Sequence, residues 1–367
     1  MSTAPSTEAP GTPAPTATAV APRRSGGGGG LGRYIVVRFL LIIPTIFILV
    51  TTVFVVMRAT GDPITAALGG RLTPDQLQQR IHEAGYDRPI LVQYVEYLGD
   101  LLHGDFGTTL SDNRPVTEVL TTFGTATLEL AVYALIVAFL VGIPFGLLAA
   151  SRRDRLPDAV LRVFAILCYA TPVFFAGLLL KLVFSVSLGW FPVAGRASTG
   201  TEIELQTLDN PSGFYLIDAF RTGDPDAVGD VLMHAVLPAV ALGLLTAGVF
   251  LRLVRTNVIG TLSTGYVTAA RSRGVREGRL LRKHAWRPAL IPIITVIGLQ
   301  VALLLSGAVL TETTFEWKGL GFQLAHYLQA RDFVAVQGIV VLIAVVVALT
   351  NFVVDVIAAL IDPRVRY

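Results

Sequence analysis

The sequence predicts an all-α protein, a polytopic membrane bundle of six transmembrane helices. Three observations carry that expectation. Hydrophobic residues make up 53% of the 367-residue chain and charged residues only 15%, against about 25% charged in an ordinary soluble domain. Mean hydropathy is +0.65. Six apolar runs reach the roughly 20 residues that a helix needs to cross a hydrocarbon core about 30 Å thick. They are 34–57, 128–150, 161–186, 231–251, 289–311 and 334–361. Pro44, Pro144, Pro172, Pro238 and Pro292 fall inside them. Bundled membrane helices tolerate such prolines, because neighbours re-satisfy the freed carbonyls.

Residues 1–30 are rich in Pro, Ala, Thr and Ser and end in five glycines. Such a segment buries too little apolar surface to offset its ordering entropy, so a disordered tail is expected there. It has no signal-peptide pattern, and no Lys-Ser/Thr follows its glycines as a phosphate-binding loop requires. Cys168 is the one cysteine, which excludes a disulfide framework and a cysteine metal site; no metal or cofactor is expected.

Orientation follows from where Lys and Arg fall. With a cytoplasmic N-terminus, the inside segments hold nineteen basic residues, among them Arg23, Arg24, Arg152, Arg153, Arg364 and Arg366. The longer outside loops hold nine, beside nineteen acids. Both termini are therefore expected in the cytoplasm. The first outer loop, about 58–125, contains "LVQYVEYLGDLLHGDFG" (91–107), whose apolar residues recur at helical spacing and predict a short amphipathic surface helix. The acidic, Gly/Pro-containing loop 187–230 is expected to cap the outer mouth.

One cytoplasmic loop, about 255–288, breaks the apolar pattern. Its stretch "YVTAARSRGVREGRLLRKHAWRPALIP" holds Arg271, Arg273, Arg276, Arg279, Arg282, Lys283 and Arg287 against one acid, Glu277. Topology alone needs only a few such charges, and anionic lipid is a second sink for them. Nucleic acid is not expected, since no folded reading domain is present. A short helix over 266–270, a turn at Gly274 and a basic amphipathic helix over 275–286 form a knuckle suited to a groove on a partner protein.

The knuckle resembles the cytoplasmic coupling loop, the "EAA" motif, of binding-protein-dependent ABC importer permeases. Thr268-Ala269-Ala270 stands where that family writes Glu-Ala-Ala, with Gly274 beyond it and Ile291-Pro292 at the far end. Thr268 replaces the motif glutamate, and Gly274 lies further from Ile291-Pro292 than in the generic motif. Both departures resemble the oligopeptide/dipeptide branch, where the loop reads like "YV..AR..G". Further matching pieces are "RPILVQYVEYLGDLLHGDFG", "TATLELAVYA", "LGWFPVAG", "ETTFEWKGLG", "ARDFVAVQG" and "IDPRVR".

The resemblance covers 31–367 as one permease domain and implies the type I importer permease fold in a bacterial inner membrane. It implies a second permease subunit, two cytoplasmic ATPase subunits and an extracytoplasmic substrate-binding protein, with lipid around them. Tyr266, Thr268, Ala269, Ala270, Arg271, Arg273, Gly274 and Val275 would contact the ATPase. The chain lacks any Walker A signature, so it is expected to be a transport subunit and no enzyme. Peptides are the expected cargo, with nickel, glutathione or haem as alternatives. A stand-alone secondary transporter is the rival class, and it would call for inverted repeats and half-helices.

Polar residues inside the runs are candidate pathway groups. Lys181 lies toward the outer end of the third run, where it snorkels or meets an acid such as Glu129 or Glu312. Gln300 and Ser306 on the fifth run either line a pore or join helices by hydrogen bonds. Asp355, in the last run, calls for a cytoplasmic-side arginine as its partner.

Overall fold

A computed structural model describes residues 31–361. The expected disordered tail (1–30) and the C-terminal Arg364 and Arg366 lie outside the described residues.

The first crossing is α1 (Leu31–Ala59). Three short helices follow in the first outer loop: α2 (Pro63–Leu68), α3 (Pro74–Glu83) and α4 (Ile90–Leu102). Each of the first two begins where its sequence supplies a cap. The Asp62 carboxylate accepts the Ile64 N–H at 2.9 Å, and Thr73 with Gln76 forms a reciprocal capping box. The predicted amphipathic helix is α4. Its tyrosine face lies on the outer end of α1, where Tyr97 stacks on Phe54 with centroids 5.5 Å apart and Tyr94 meets Thr51 through their hydroxyls at 2.5 Å.

The centre of the bundle is a pair of long rods, α5 (Val116–Ser151) and α10 (Pro225–Leu262). At 36 residues, α5 spans about 54 Å, so it stands well clear of a hydrocarbon core. Glycines let the two rods touch backbone to backbone. A Cβ on Gly142 would come 2.9 Å from the Ala247 carbonyl oxygen, one on Gly146 2.9 Å from that of Leu251, and one on Gly243 2.6 Å from that of Ala134. Gly142 and Gly146 are four residues apart and therefore share a face, the small-residue spacing that membrane helices use for close approach.

Between the two rods in chain order come α6 (Leu156–Ala170) and α7 (Val173–Leu180), the latter widening into a π-helical turn over Lys181–Ser187. Their axes bend by 105°. The third apolar run is therefore not one straight crossing. Pro172 carries no N–H and drives the residue before it out of the helical region, and Thr171 accordingly sits at φ −80°, ψ 124°. The second outer loop folds into α8 (Thr199–Gln206) and α9 (Tyr215–Thr222). Beyond α10 come the cytoplasmic α11 (Gly265–Ser272) and α12 (Glu277–Arg279), which leads through a π-helical stretch, Leu280–Ala285, into α13 (Trp286–Phe315). The outer α14 (Leu320–Gln329) and the last crossing, α15 (Phe333–Ile361), complete the fold.

Among the described residues, α1, α5, α10 and α15 are unbroken helices long and apolar enough to cross a membrane. The count reaches six when α6–α7 and the 46° bend near Pro292 are each taken as one span. Charge pins the cytoplasmic end. Arg255 on α10 grips Asp158 on α6 through Nε at 2.6 Å and Nη2 at 2.8 Å, and the Asp154 N–H donates to the same carboxylate at 3.0 Å. Asp355 finds its expected arginine in Arg38 of α1, at 3.3 Å.

The Asp158 carboxylate is fully buried and thus the more consequential of the two acids. Asp158→Ala should destabilise the detergent-solubilised chain by about 2 kcal/mol, the range for charge-assisted hydrogen bonds. Thermal unfolding in detergent reads this directly, and an unchanged midpoint would remove the pair from the stabilising set.

Candidate functional site

The cytoplasmic knuckle is built from a helix that stops by design of its sequence. α11 ends at Gly274, whose φ of +80° lies in the left-handed region that glycine adopts freely. The Gly274 N–H donates to the Arg271 carbonyl at 2.9 Å and the Val275 N–H to the Ala270 carbonyl at 3.3 Å. That is the paired bonding of a Schellman stop. Nothing lies within 4 Å of where a Gly274 Cβ would be, so the turn is held by backbone conformation alone and faces open space.

Two contacts set the knuckle's shape. Arg271 reaches Glu277 across the turn, Nε to Oε1 at 2.6 Å and Nη2 to Oε2 at 3.2 Å. The Tyr266 hydroxyl donates to the His284 carbonyl at 3.1 Å. Beneath them Val267, Leu280 and Ala285 are fully buried, and Ala285 packs with Phe250, Val254 and Val258 of α10 and with Ala289 and Ile293 of α13. Tyr266, Thr268, Ala269, Arg271, Arg273 and Gly274 are exposed, while Ala270 and Val275 are half-buried. The predicted coupling residues thus form one continuous patch on a rigid base. Arg271 differs from its neighbours, because its charge is already committed to Glu277.

The Arg271 guanidinium holds the Glu277 carboxyl below the usual carboxylate range, with its hydrogen bond as the main cause. A depressed carboxylate stabilises the fold above its unfolded-state value, and that contribution is lost as pH falls through the folded one. The brace should therefore be insensitive to pH near neutrality and open only in acid. Carboxyl-carbon NMR of labelled Glu277 should show a midpoint below about 4.3, the ordinary glutamate value, and Arg271→Gln should return it to that value.

The outer end carries a second constellation. Glu129 on α5 accepts the Tyr133 hydroxyl and the Leu216 N–H, both at 2.9 Å, and pairs with Arg196 at 2.5 Å. Arg196 lies over the Tyr215 ring at 3.6 Å and also donates to the Gly213 carbonyl at 2.9 Å. Glu312 is fully buried. It accepts the Thr127 hydroxyl at 2.7 Å and the Phe322 N–H at 2.8 Å. Gly319 and Gly321 pass so close that a Cβ on either would come within 3.0 Å of this carboxylate, which explains the two glycines of "WKGLG". Trp317 closes the lock by donating Nε1–H to the Ala126 carbonyl at 2.9 Å. A third carboxylate, Asp332, takes the N–H groups of Leu110 at 2.6 Å and Ser111 at 2.8 Å, tying the first outer loop to the start of α15.

The three candidate pathway residues separate in this frame. Lys181 donates to the Thr314 carbonyl at 3.1 Å, so its bond goes to backbone and not to Glu129 or Glu312. Glu312 serves the outer lock, and Gln300 is buried on α13. Arg196 and Asp332 were not singled out from sequence. The signal for Arg196 was indirect, since a carboxylate as deep as Glu129 demands a cation and the second outer loop offers only Arg196 and Arg221. Glu129→Ala should strip the buried Arg196 of its counter-charge and destabilise the fold by about 3 kcal/mol. Paired thermal melts of Glu129→Ala and Glu129→Ala/Arg196→Met should show the second change restoring part of that loss.

Long crossings, buried carboxylates locked at the outer end and one braced cytoplasmic knuckle define an integral membrane subunit. The chain belongs to the binding-protein-dependent transport system inner membrane components, whose description matches residues 142–367, with the N-terminal part of that family matching 31–122. It is 38% identical over 336 residues to a di/tripeptide transport system permease protein of Pseudomonas aeruginosa, covering 91% of this chain and 98% of that one. A dipeptide permease of Escherichia coli is 39% identical over 91% of this chain and 99% of its own. An oligopeptide permease of Bacillus subtilis is 32% identical over 92% and 100%. A solved inward-facing MetNI methionine ABC transporter gives a looser likeness, with a TM-score of 0.47 at 17% identity over 65% of this chain and 93% of that one. The protein is thus a permease subunit of an ABC importer, resident in the inner membrane and working with ATPase and substrate-binding partners.

Proposed function

We propose that this chain carries di- and oligopeptides, pairs with a second permease subunit and docks one ATPase through the knuckle around Gly274. The cargo rests on near full-length similarity to permeases named for peptides. The docking role rests on one observation above all. The exposed patch from Tyr266 to Gly274 sits on a buried anchor, Val267, Leu280 and Ala285, of which Ala285 packs against both α10 and α13.

A push on the patch therefore does not dissipate in a loose loop. It passes through Ala285 to two crossings at once, and α10 carries it over 38 residues to the outer loop. Closure of an ATPase dimer in the cytoplasm would tilt these rods as rigid bodies, the hinge-and-shear behaviour of packed helices. A peptide released by the binding protein would meet the outer mouth and leave through the gap that the tilt opens between the two permeases.

Gly274 allows a clean test, because space around it is open. Gly274→Trp places bulk on the docking patch, and Gly274→Ala carries the same backbone strain of about 1–2 kcal/mol without the bulk. In vesicles holding the full complex, Gly274→Trp should lower ATP-driven dipeptide uptake at least about tenfold, the equivalent of 1.4 kcal/mol, and release the ATPases. Gly274→Ala should retain most of both. Normal uptake by Gly274→Trp overturns the docking assignment; uptake of nickel in place of dipeptide overturns the cargo.

A further inference from the structure

A groove of about 300 Å³ runs between the second half of α6 and the cytoplasmic half of α10. Its walls are apolar: Ala165, Ile166 and Tyr169 on one side, Gly248 and Val249 on the other. Its cytoplasmic rim is not, for Arg162, Arg252 and Arg255 gather there. Gly248 sets the depth at its floor, since a Cβ at that position would come 2.8 Å from the Ala165 carbonyl oxygen.

The three arginines are not equivalent. Arg255 is consumed by Asp158 in a two-point bond. Arg162 stands 3.9 Å from the same carboxylate, which already has three close donors. Arg252 makes no ion pair among the described residues and rests 6.0 Å from the Tyr169 ring. Asp158 thus engages Arg255 closely and Arg162 at longer range, while Arg252 keeps an unmatched positive charge at the mouth of an oily slot.

We propose that this groove is a binding site for an anionic phospholipid of the inner leaflet. An acyl chain fills the slot between Ile166 and Val249, and the phosphodiester meets Arg252 and Arg162. The chemistry is specific at both ends. A guanidinium offers a phosphate paired N–H donors in matching geometry, and basic pockets between crossings on the cytoplasmic side suit anionic headgroups. Ile166 and Tyr169 are 63% exposed in the isolated chain, so the slot opens sideways, as entry from a bilayer requires. A peptide in transit fits less well, because the apolar walls offer its backbone amides no hydrogen-bond partners.

The test uses the intact complex with its partner subunits, drawn from vesicles of equal phosphatidylglycerol and phosphatidylcholine, with retained lipid counted by native mass spectrometry. Phosphatidylglycerol should be retained in preference to phosphatidylcholine. Arg162→Gln/Arg252→Gln should reduce that retention about twenty-fivefold, near fivefold for each charge. Ile166→Trp should reduce it by filling the slot with both arginines intact. Both changes lie at exposed positions, and Arg255 is kept so that the Asp158 pin survives. Equal retention of the two lipids, or unaltered phosphatidylglycerol in both variants, overturns the proposal. So does a disulfide formed from Ile166→Cys, in a Cys168→Ser background, to a partner permease helix in the bilayer, which would show that protein and not lipid covers the groove.

Discussion

Inside a bilayer, a carboxylate that loses its partner has no water to turn to, and this constraint orders the whole molecule. Five of the buried or half-buried acids show how it is met, each in its own way. Asp158 and Asp355 take arginines at the cytoplasmic end. Glu129 takes Arg196, while Glu312 and Asp332 take backbone N–H groups and hydroxyls at the outer end. Most of these bonds join segments distant in sequence, and each fixes a helix or loop against a neighbour. The two faces become rigid plates, and the apolar crossings between them carry few polar groups that must exchange partners when the bundle moves.

That division suits a part that transmits motion. Between the plates, α5 and α10 meet through Gly142, Gly146 and Gly243 with backbone in contact. Contacts of this kind are non-directional, unlike the ion pairs at either end, and a small rotation costs little where no hydrogen bond must break. α10 belongs to both plates. Its cytoplasmic half holds Arg255 and packs on the knuckle's anchor, and its outer end carries Asp230, which accepts the Ser198 N–H of the second outer loop at 2.7 Å. A single rod therefore links the patch around Gly274 to the outer mouth without a joint.

Much of this was legible in the sequence, and the illegible part has a common cause. Hydropathy marks crossings because water exclusion acts residue by residue, and periodicity marks α4 because Tyr94 and Tyr97 must share a face. The knuckle was legible because its turn is local: a glycine closes a helix through bonds to residues three and five back. Pro172 was not distinguishable from Pro44, Pro144 or Pro238, which lie within continuous helices. Whether a proline breaks or merely bends a crossing depends on what the next turn packs against, and that is tertiary information. Arg196 failed for the same reason, since it reaches Glu129 across 67 residues of chain. The bond between Lys181 and the Thr314 carbonyl spans 133.

The basic surplus of the cytoplasmic side, a single feature when counted, divides into three once the partners are known. Arg38 and Arg255 are structural, because their carboxylates lie on other helices. Arg271 is architectural in a narrower sense, holding the knuckle's own turn through Glu277. The remaining basic residues of the loop, from Arg273 to Arg287, stand exposed, where a partner protein or a headgroup can reach them. Topogenic charge asks only that arginine stay inside, and it leaves open what each guanidinium then binds. The fold uses that freedom. A positive charge kept on one side by insertion becomes a pin, a brace or a docking contact according to the acid placed within its reach, and the acids, not the arginines, decide which.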